Sequence, residues 1–352
     1  MRPLRVGVLG ATGAVGQRFV QLLSRNPWFE ITALAASDRS THQRYAQACT
    51  WRISADIPAT ARDLPVQPCE PGLPCDAVFS ALPSSVAGPV EEAMAAEGYA
   101  VFSNASAHRM DPDVPLLIPE VNGAHAALIA AQRARRGWTK GLLVTDPNCS
   151  TVGLTLALKP LHDAFGVTQV MVTTMQALSG AGYPGVPALD ALDNVIPYIG
   201  GEEEKMATEP LKLLGTLEEA RGEVIPAEMV ISAACNRVAT RDGHLEAVSV
   251  KLAQPATLED LVAAWEGFAS EPAALGCPSA VQAPIIVRRE PDRPQTYLDR
   301  DAGNGMAITI GRVRRCPVLD WKFVVLAHNT IRGAAGGSIL NAEYLMAKGL
   351  LP

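Results

Sequence analysis

Of seven cysteines spread along the 352 residues, Cys149 stands where a thiol can act as a nucleophile. The stretch Asp146-Pro147-Asn148-Cys149-Ser150-Thr151 leads directly into an apolar pattern of helical spacing over 150–165, closed by Gly166. Cys149 is therefore predicted at a helix N-terminus, where amides without partners and the positive end of the backbone dipole favour a thiolate. A small residue beside a helix cap is the plain alternative, and position alone does not choose between them. Neighbouring motifs add weight. Gln176 ends the next strand-like run and opens the glycine-rich stretch 177–185, so its amide is expected in a cleft. Arg237 and His244 lie seven apart around the turn Thr240-Arg241-Asp242-Gly243, which puts both near one sheet edge. Imidazole titrates near neutral pH, the range an acid–base group needs. Glu202 and Lys205 are three apart on a predicted helix and share a face, either as a grip for a zwitterion or as an ordinary surface ion pair.

A second constellation points to a dinucleotide. Gly10-Ala11-Thr12-Gly13-Ala14-Val15-Gly16 sits between the apolar run 5–9 and a helical pattern carried by Phe19, Val20, Leu22 and Leu23. A further strand-like run over 31–36 completes a βαβ unit. Side chains at Gly10, Gly13 and Gly16 would keep a pyrophosphate away from the helix N-terminal amides. A bare tight turn would also want these glycines. Ser37-Asp38-Arg39-Ser40 follows. An acid here suits the ribose hydroxyl of NAD, whereas Arg39 between Ser37 and Ser40 suits the 2′-phosphate of NADP, which is the expectation adopted. The next residues, Thr41-His42-Gln43, are bulky enough to reshape that pocket.

The elements that must position these groups change character along the chain. Strand and helix patterns alternate up to Pro147, as in a Rossmann-type doubly wound parallel sheet. Beyond it come a helix and five long strand-like runs, over 167–176, 229–238, 245–252, 306–313 and 321–327. These predict a second α+β domain with a mixed, largely antiparallel sheet. The expected division is a dinucleotide domain over 1–148 and a catalytic and oligomerisation domain over 149–330, with a C-terminal helix at about 331–352 packing back on the first. A length of 352 residues favours two cores over one.

Composition narrows the class. Apolar residues make up 48% and charged residues 19%, with a net charge of −6, which fits a globular protein and leaves no basic stripe for nucleic acid. No apolar run reaches membrane length, no leader pattern precedes the first strand, and no Cys or His spacing suggests a metal. Free thiols in the cytoplasm are the expectation.

Taken together, these stretches resemble aspartate-semialdehyde dehydrogenases, in the branch shared by archaea and fungi. The glycine loop, Pro147-Asn148-Cys149-Ser150, the run from Gln176 to Gly185, Glu202-Glu203-Glu204-Lys205, Asn236-Arg237-Val238 with His244, and Asn329-Thr330-Ile331-Arg332-Gly333 occur in family order. The resemblance implies NADPH-dependent reductive dephosphorylation of L-4-aspartyl phosphate to L-aspartate 4-semialdehyde, towards lysine, methionine and threonine. It implies Cys149 as the thioacyl nucleophile, His244 as acid and base, and Gln176 as the group orienting the acyl carbon. Arg237 would take the α-carboxylate and Glu202 the α-ammonium, with Lys205, Arg109 and Asn148 at the phosphate. Gly10, Thr12, Gly13, Ala14, Val15, Gly16, Ser37, Arg39, Ser40, Ser179, Gly180 and Asn329 would hold NADP, and the chain would form a homodimer or homotetramer. Related reductases of N-acetyl-glutamyl phosphate or malonyl-CoA share the loop, the thiol and the histidine, but leave Glu202 without an ammonium to meet. A silent dinucleotide-binding regulator would be expected to lack the thiol or the histidine.

Overall fold

The computed structural model describes residues 2–351; Met1 and Pro352, the outer limits of the two predicted regions, lie outside these. Six strands form the first sheet: β1 (Leu4–Leu9), β2 (Phe29–Ala35), β3 (Val66–Gln67), β4 (Ala77–Ser80), β5 (Ala100–Ser103) and β6 (Leu142–Thr145). Their order is β3-β2-β1-β4-β5-β6 and every pairing is parallel. All residues of β4, β5 and β6 are buried, as expected of strands covered on both faces. Helix α1 (Ala14–Leu23) turns Phe19, Val20 and Leu23 inward, and Phe19, Phe79 and Phe102 stack in series with centroids 5.2 and 5.4 Å apart. The strand order reverses between β1 and β4, and the loop 10–13 leaves β1 at that switch point.

Helix α2 (Cys149–Phe165) begins the second part and lies along the inner face of a seven-stranded sheet. That sheet contains β7 (Val167–Gln176), β8 (Val195–Ile196), β11 (Val230–Val238), β12 (His244–Leu252), β13 (Ile285–Val287), β14 (Ile308–Arg315) and β15 (Trp321–Ala327). A separate small ribbon pairs β9 (Thr216–Glu218) with β10 (Glu223–Ile225). The order β13-β14-β15-β12-β7-β11-β8 combines two parallel pairings with four antiparallel ones, the mixed and largely antiparallel sheet expected. Residues of β7 alternate between inward and outward, so one face packs on α2 and the other is open. Helix α3 (Glu202–Leu213) packs against β11, and α4 (Leu258–Glu266) starts from a capping box made by Thr257 and Asp260.

The C-terminal segment differs from expectation at its start. In place of a helix from residue 331, Ile331–Ala335 form a wide turn in which Ala334 leaves helical geometry. Helix α5 (Gly336–Ala347) follows and contributes Ile339, Ala342, Tyr344 and Leu345 to the core that holds Val6 and Phe19. The irregular turn has a packing cause. A Cβ on Gly333 would lie 2.8–2.9 Å from the backbone and Cβ of Cys149, so bare backbone is required there. Beside it Arg332 forms a bidentate pair with Glu120, at 2.8 Å for both bonds, with both side chains fully enclosed. Breaking a buried pair strands its partner's charge. Arg332→Ala is therefore expected to lower unfolding stability by about 3–5 kcal/mol in urea titration. A loss below about 1 kcal/mol would contradict this.

Candidate active site

Cys149 is the first residue of α2, and its neighbour Asn148 caps that helix. The Asn148 Oδ1 accepts the amides of Ser150 and Thr151 at 3.0 and 3.4 Å. Helix and sheet approach closely at Gly153, where a Cβ would sit 3.0 Å from that of Ala327. The Cys149 Sγ lies 3.1 Å from His244 Nε2. His244 opens β12, Gln176 closes β7, and Arg237 pairs with Gln176 from β11. These strands are adjacent in the order β12-β7-β11. The expectation that Arg237 and His244 share a sheet edge is thus corrected: the turn 239–243 passes over the end of β7 and sets them either side of Gln176. They meet again through Gly180, where a Cβ would stand 2.8 Å from Arg237 Nη1 and 3.1 Å from the His244 ring.

The backbone of one residue orients both. The Ala177 carbonyl accepts from Arg237 Nη1 at 2.7 Å, while its N–H donates to His244 Nδ1 at 3.0 Å. The neutral imidazole consequently carries its proton on Nε2, facing the sulfur. Asn329 holds this corner together: its Oδ1 accepts the Gly243 amide at 2.8 Å and its Nδ2 donates to Ser179 Oγ at 2.8 Å.

On the other side, the Glu202 carboxylate accepts from Asn148 Nδ2 at 2.9 Å on each oxygen, from Lys205 Nζ at 3.0 Å and from Gln176 Nε2 at 3.3 Å. Gln176 Nε2 also reaches Thr174 Oγ1 at 3.3 Å. Arg109 joins the group from the loop after β5, donating to Glu209 at 2.9 Å and to the Asn104 carbonyl at 2.7 Å. Glu209 in turn accepts the Asn148 amide at 2.7 Å. Lys212 Nζ donates to the carbonyls of Arg109, Asp111 and Val114 at 2.7, 2.7 and 2.9 Å, pinning the Arg109 loop, and burial lowers its ammonium to about 8. The sequence reading missed Glu209 and Lys212. Their signal was a spacing of seven and then three residues beyond Glu202, which puts all three on one face of α3.

The expected lowering of the thiol is overturned for the site as folded. Cys149 is partly exposed as a residue, yet its thiol sits deep within protein. Burial first and Glu202 next push the thiol up to about 12, against the opposing pull of Arg109, Arg237 and Lys205. Burial, then Arg237 and His328, bring His244 down to about 3. Among these protein groups the neutral thiol and neutral imidazole are the favoured forms.

The glycine loop has the shape a dinucleotide needs. Gly10 has φ +72°, and a Cβ there would lie 2.7 Å from the Ala81 carbonyl oxygen; a Cβ on Gly16 would overlap the Gly10 carbonyl. No side chain caps α1 at Gly13, so the first-turn amides of Ala14, Val15 and Gly16 face outward from the loop beside Thr12. Beyond β2, Ser37, Asp38 and Arg39 are exposed and Ser40 is half-buried. The bulky residues after them fold back on this turn: Thr41 Oγ1 donates to the Asp38 carbonyl at 2.8 Å and Gln43 Nε2 to that of Arg39 at 3.0 Å. A cleft of about 460 Å³ joins Ala14 and Arg18 to Ser179, Tyr183 and Thr330. Among the described residues no cluster of metal ligands is present and no helix is long and apolar enough to cross a membrane.

Comparison with known proteins agrees with this geometry. The family model for the semialdehyde dehydrogenase NAD binding domain matches residues 5–129, and that for the semialdehyde dehydrogenase dimerisation domain matches residues 158–332. The aspartate-semialdehyde dehydrogenase of Archaeoglobus fulgidus is 51% identical, covering 98% of this chain and 99% of its own length. That of Cryptococcus neoformans is 45% identical, covering 99% and 98%. The crystal structure of the Candida albicans enzyme with NADP is 44% identical and matches with a TM-score of 0.92, covering 99% of this chain and all of that one. By contrast the Vibrio cholerae aspartate semialdehyde dehydrogenase II, complexed with ASA, is 27% identical with a TM-score of 0.76, covering 98% and 99%. Full-length identity, both matched regions and the fold point the same way: the chain belongs to the aspartate-semialdehyde dehydrogenase family.

Proposed function

We propose that this chain converts L-4-aspartyl phosphate to L-aspartate 4-semialdehyde through an acyl intermediate on Cys149, with NADPH as reductant. The observation that carries the reading is the 3.1 Å approach of Cys149 Sγ to His244 Nε2 at a helix N-terminus, with Arg237 and Glu202 on either side. Arg237 offers a planar fork to the α-carboxylate, and Glu202 an acceptor for the α-ammonium. Glu202 is what favours this substrate over N-acetyl-glutamyl phosphate or malonyl-CoA, neither of which brings an ammonium. Lys205, Arg109 and the Asn148 amide supply positive charge and donors for the departing phosphate.

The Cys149 thiolate attacks the acyl carbon, the C–O bond to phosphate breaks with its electron pair leaving on phosphate, and a thioester remains. The chemistry supplied by NADPH, when bound, is hydride reduction of that thioester. Collapse of the resulting thiohemiacetal oxyanion expels the sulfur as thiolate and releases aldehyde. His244 Nε2–H donates to the sulfur and then to the developing oxyanion. Acting as acid and base would require a proton on Nδ1 as well, which the Ala177 N–H opposes. A hydrogen-bonding role needs no such rearrangement. Gln176 orients the acyl group, and Ser179, Gly180 and Asn329 border the nicotinamide end.

The cofactor loop fits the role, because the two close approaches at Gly10 and Gly16 leave no room for side chains where phosphates would meet the α1 amides. Arg39, flanked by Ser37 and Ser40, takes the 2′-phosphate. The limits of the two sheets support a dinucleotide-binding region over 1–148 with the C-terminal helix, and a catalytic and pairing region over 149–330. We further infer a homo-oligomer built on the open face of the second sheet. That face exposes Met171 by 52% and Val230 by 70%, with Thr173, Ser232, Ala234 and Ala247 beside them, and it lies in the region matched by the dimerisation domain. Seven free cysteines suit a reducing compartment such as the cytoplasm, where the product would enter amino-acid biosynthesis.

The direct test is nicotinamide absorbance in the phosphorolytic direction with L-aspartate 4-semialdehyde, NADP and phosphate; faster turnover of either rival substrate would overturn the assignment. Cys149→Ala should reduce turnover by roughly 1,000-fold or more while NADPH affinity stays nearly unchanged. Arg39→Ala should raise the KM for NADPH by about tenfold and leave that for NADH almost unaltered, a loss of ~1.4 kcal/mol. Met171→Asp, which puts a charge in the proposed pairing face, should move the protein to a smaller assembly in sedimentation. Unchanged mass would exclude this face.

A further inference from the structure

We propose that the substrate's ammonium group arms the nucleophile: by engaging Glu202 it removes a competing negative charge from the first turn of α2 and allows Cys149 to ionise. This rests on the reading of Glu202 as the ammonium site and adds a coupling to it.

The geometry is a shared side chain. Asn148 caps α2 through Oδ1 and holds Glu202 through Nδ2, so one amide connects the carboxylate to the helix that presents the sulfur. Glu202 is 7% exposed and is held by Lys205 and Gln176 as well. A carboxylate set against a helix N-terminus draws on the same positive potential that a thiolate at residue 149 would need. Two such anions in one desolvated site disfavour each other. The other charged groups around the sulfur relieve this only in part. Arg109, from the loop after β5, is spent on Glu209 of α3, and Lys205 of α3 is spent on Glu202 itself. Arg237 of β11 is tied to the Ala177 carbonyl, His244 of β12 is neutral, and Asp146, two residues before the cap, is held towards its protonated form by burial. After burial, Glu202 is the largest influence holding the thiol up, and of these it is the one a ligand can cancel.

An ammonium on Glu202 brings a positive charge into the site and takes over acceptor positions now used by Asn148 and Gln176. The thiol proton then leaves to solvent, the electron pair stays on sulfur, and His244 Nε2–H donates to it. The nucleophile thus becomes reactive when the correct amino acid is present. A substrate lacking the amino group would lose kcat as well as binding.

The test uses the full chain and the rate at which the small neutral reagent iodoacetamide alkylates Cys149 near neutral pH, where an α-amino group is an ammonium, taken as the difference from Cys149→Ser. L-2-aminobutyrate carries the carboxylate and ammonium without a leaving group; butanoate lacks the ammonium. L-2-aminobutyrate should raise that rate about tenfold or more relative to butanoate, which has the same bulk and carboxylate, the equivalent of one pH unit in the thiol's titration. Glu202→Gln should be alkylated faster than wild type without any ligand and respond alike to both. Binding isotherms for the same ligands separate two failures. Tighter L-2-aminobutyrate binding to wild type than to Glu202→Gln, with alkylation no faster than butanoate gives, overturns the coupling and leaves the ammonium reading standing. Equal affinity for the two proteins overturns both. If Glu202→Gln does not fold, the contrast between the two ligands on wild type decides the coupling alone.

Discussion

The structure depends on a contest at one atom. Helix α2 delivers the Cys149 sulfur at its positive end, where the amides of Ser150 and Thr151 are taken by Asn148, while burial makes an uncompensated anion there costly. A helix mouth is worth at most a couple of kcal/mol to a nearby anion, which does not offset full desolvation. Whatever holds charge on the sulfur must therefore come from ligands and from the cations around the pocket. This explains why so many charged side chains are gathered around the pocket and why most of them are paired.

Those pairs are organised by α3. Glu202 and Glu209 lie two turns apart and reach the Asn148 side chain and its backbone amide respectively. Glu209 also fixes Arg109, and Lys212, one turn further on, fixes the loop that carries Arg109. A residue from the first sheet's loop is thereby placed against a cysteine that heads the second sheet's helix. Arg109, Lys205, Lys212 and Arg237 outnumber the carboxylates of Glu202 and Glu209, the surplus of positive charge that a site built to receive a phosphate requires.

The sequence carried the architecture well, because its alternating strands and its loop glycines are local signals. The strands β7 and β15 occupy their predicted lengths, and the demand for glycine at Gly10 is met by contact with Ala81. Site chemistry was legible where one motif holds it: Cys149 with Asn148, or Glu202 with Lys205. It was not legible where partners are distant in sequence. Arg109 to Glu209 spans 100 positions, and the helical spacing that sets Glu209 on the face of Glu202 reveals neither that partner nor its burial. The sheet-edge expectation for Arg237 and His244 failed for a related reason: spacing around a turn does not reveal that β7 inserts between the two strands. The thiol's direction was misjudged because helix position is visible in sequence and burial is not.

The segment after β15 shows how the two halves are held to one geometry. Asn329 binds the loop at Ser179, Gly333 rests on the Cys149 backbone, and a Cβ on Gly337 would lie 2.7 Å from Asp146 Oδ1. Between them Arg332 grips Glu120, and α5 then sinks into the core of the first sheet. Nine residues thus touch the glycine loop's domain, the cysteine and the loop over the histidine. A side chain at Gly333 or Gly337 would push α2 away from the strand ends, and a shift of about 1 Å at the sulfur is enough to cost catalysis on the order of 100-fold. The wide turn at 331–335, irregular as a helix, is what allows the backbone to come that close.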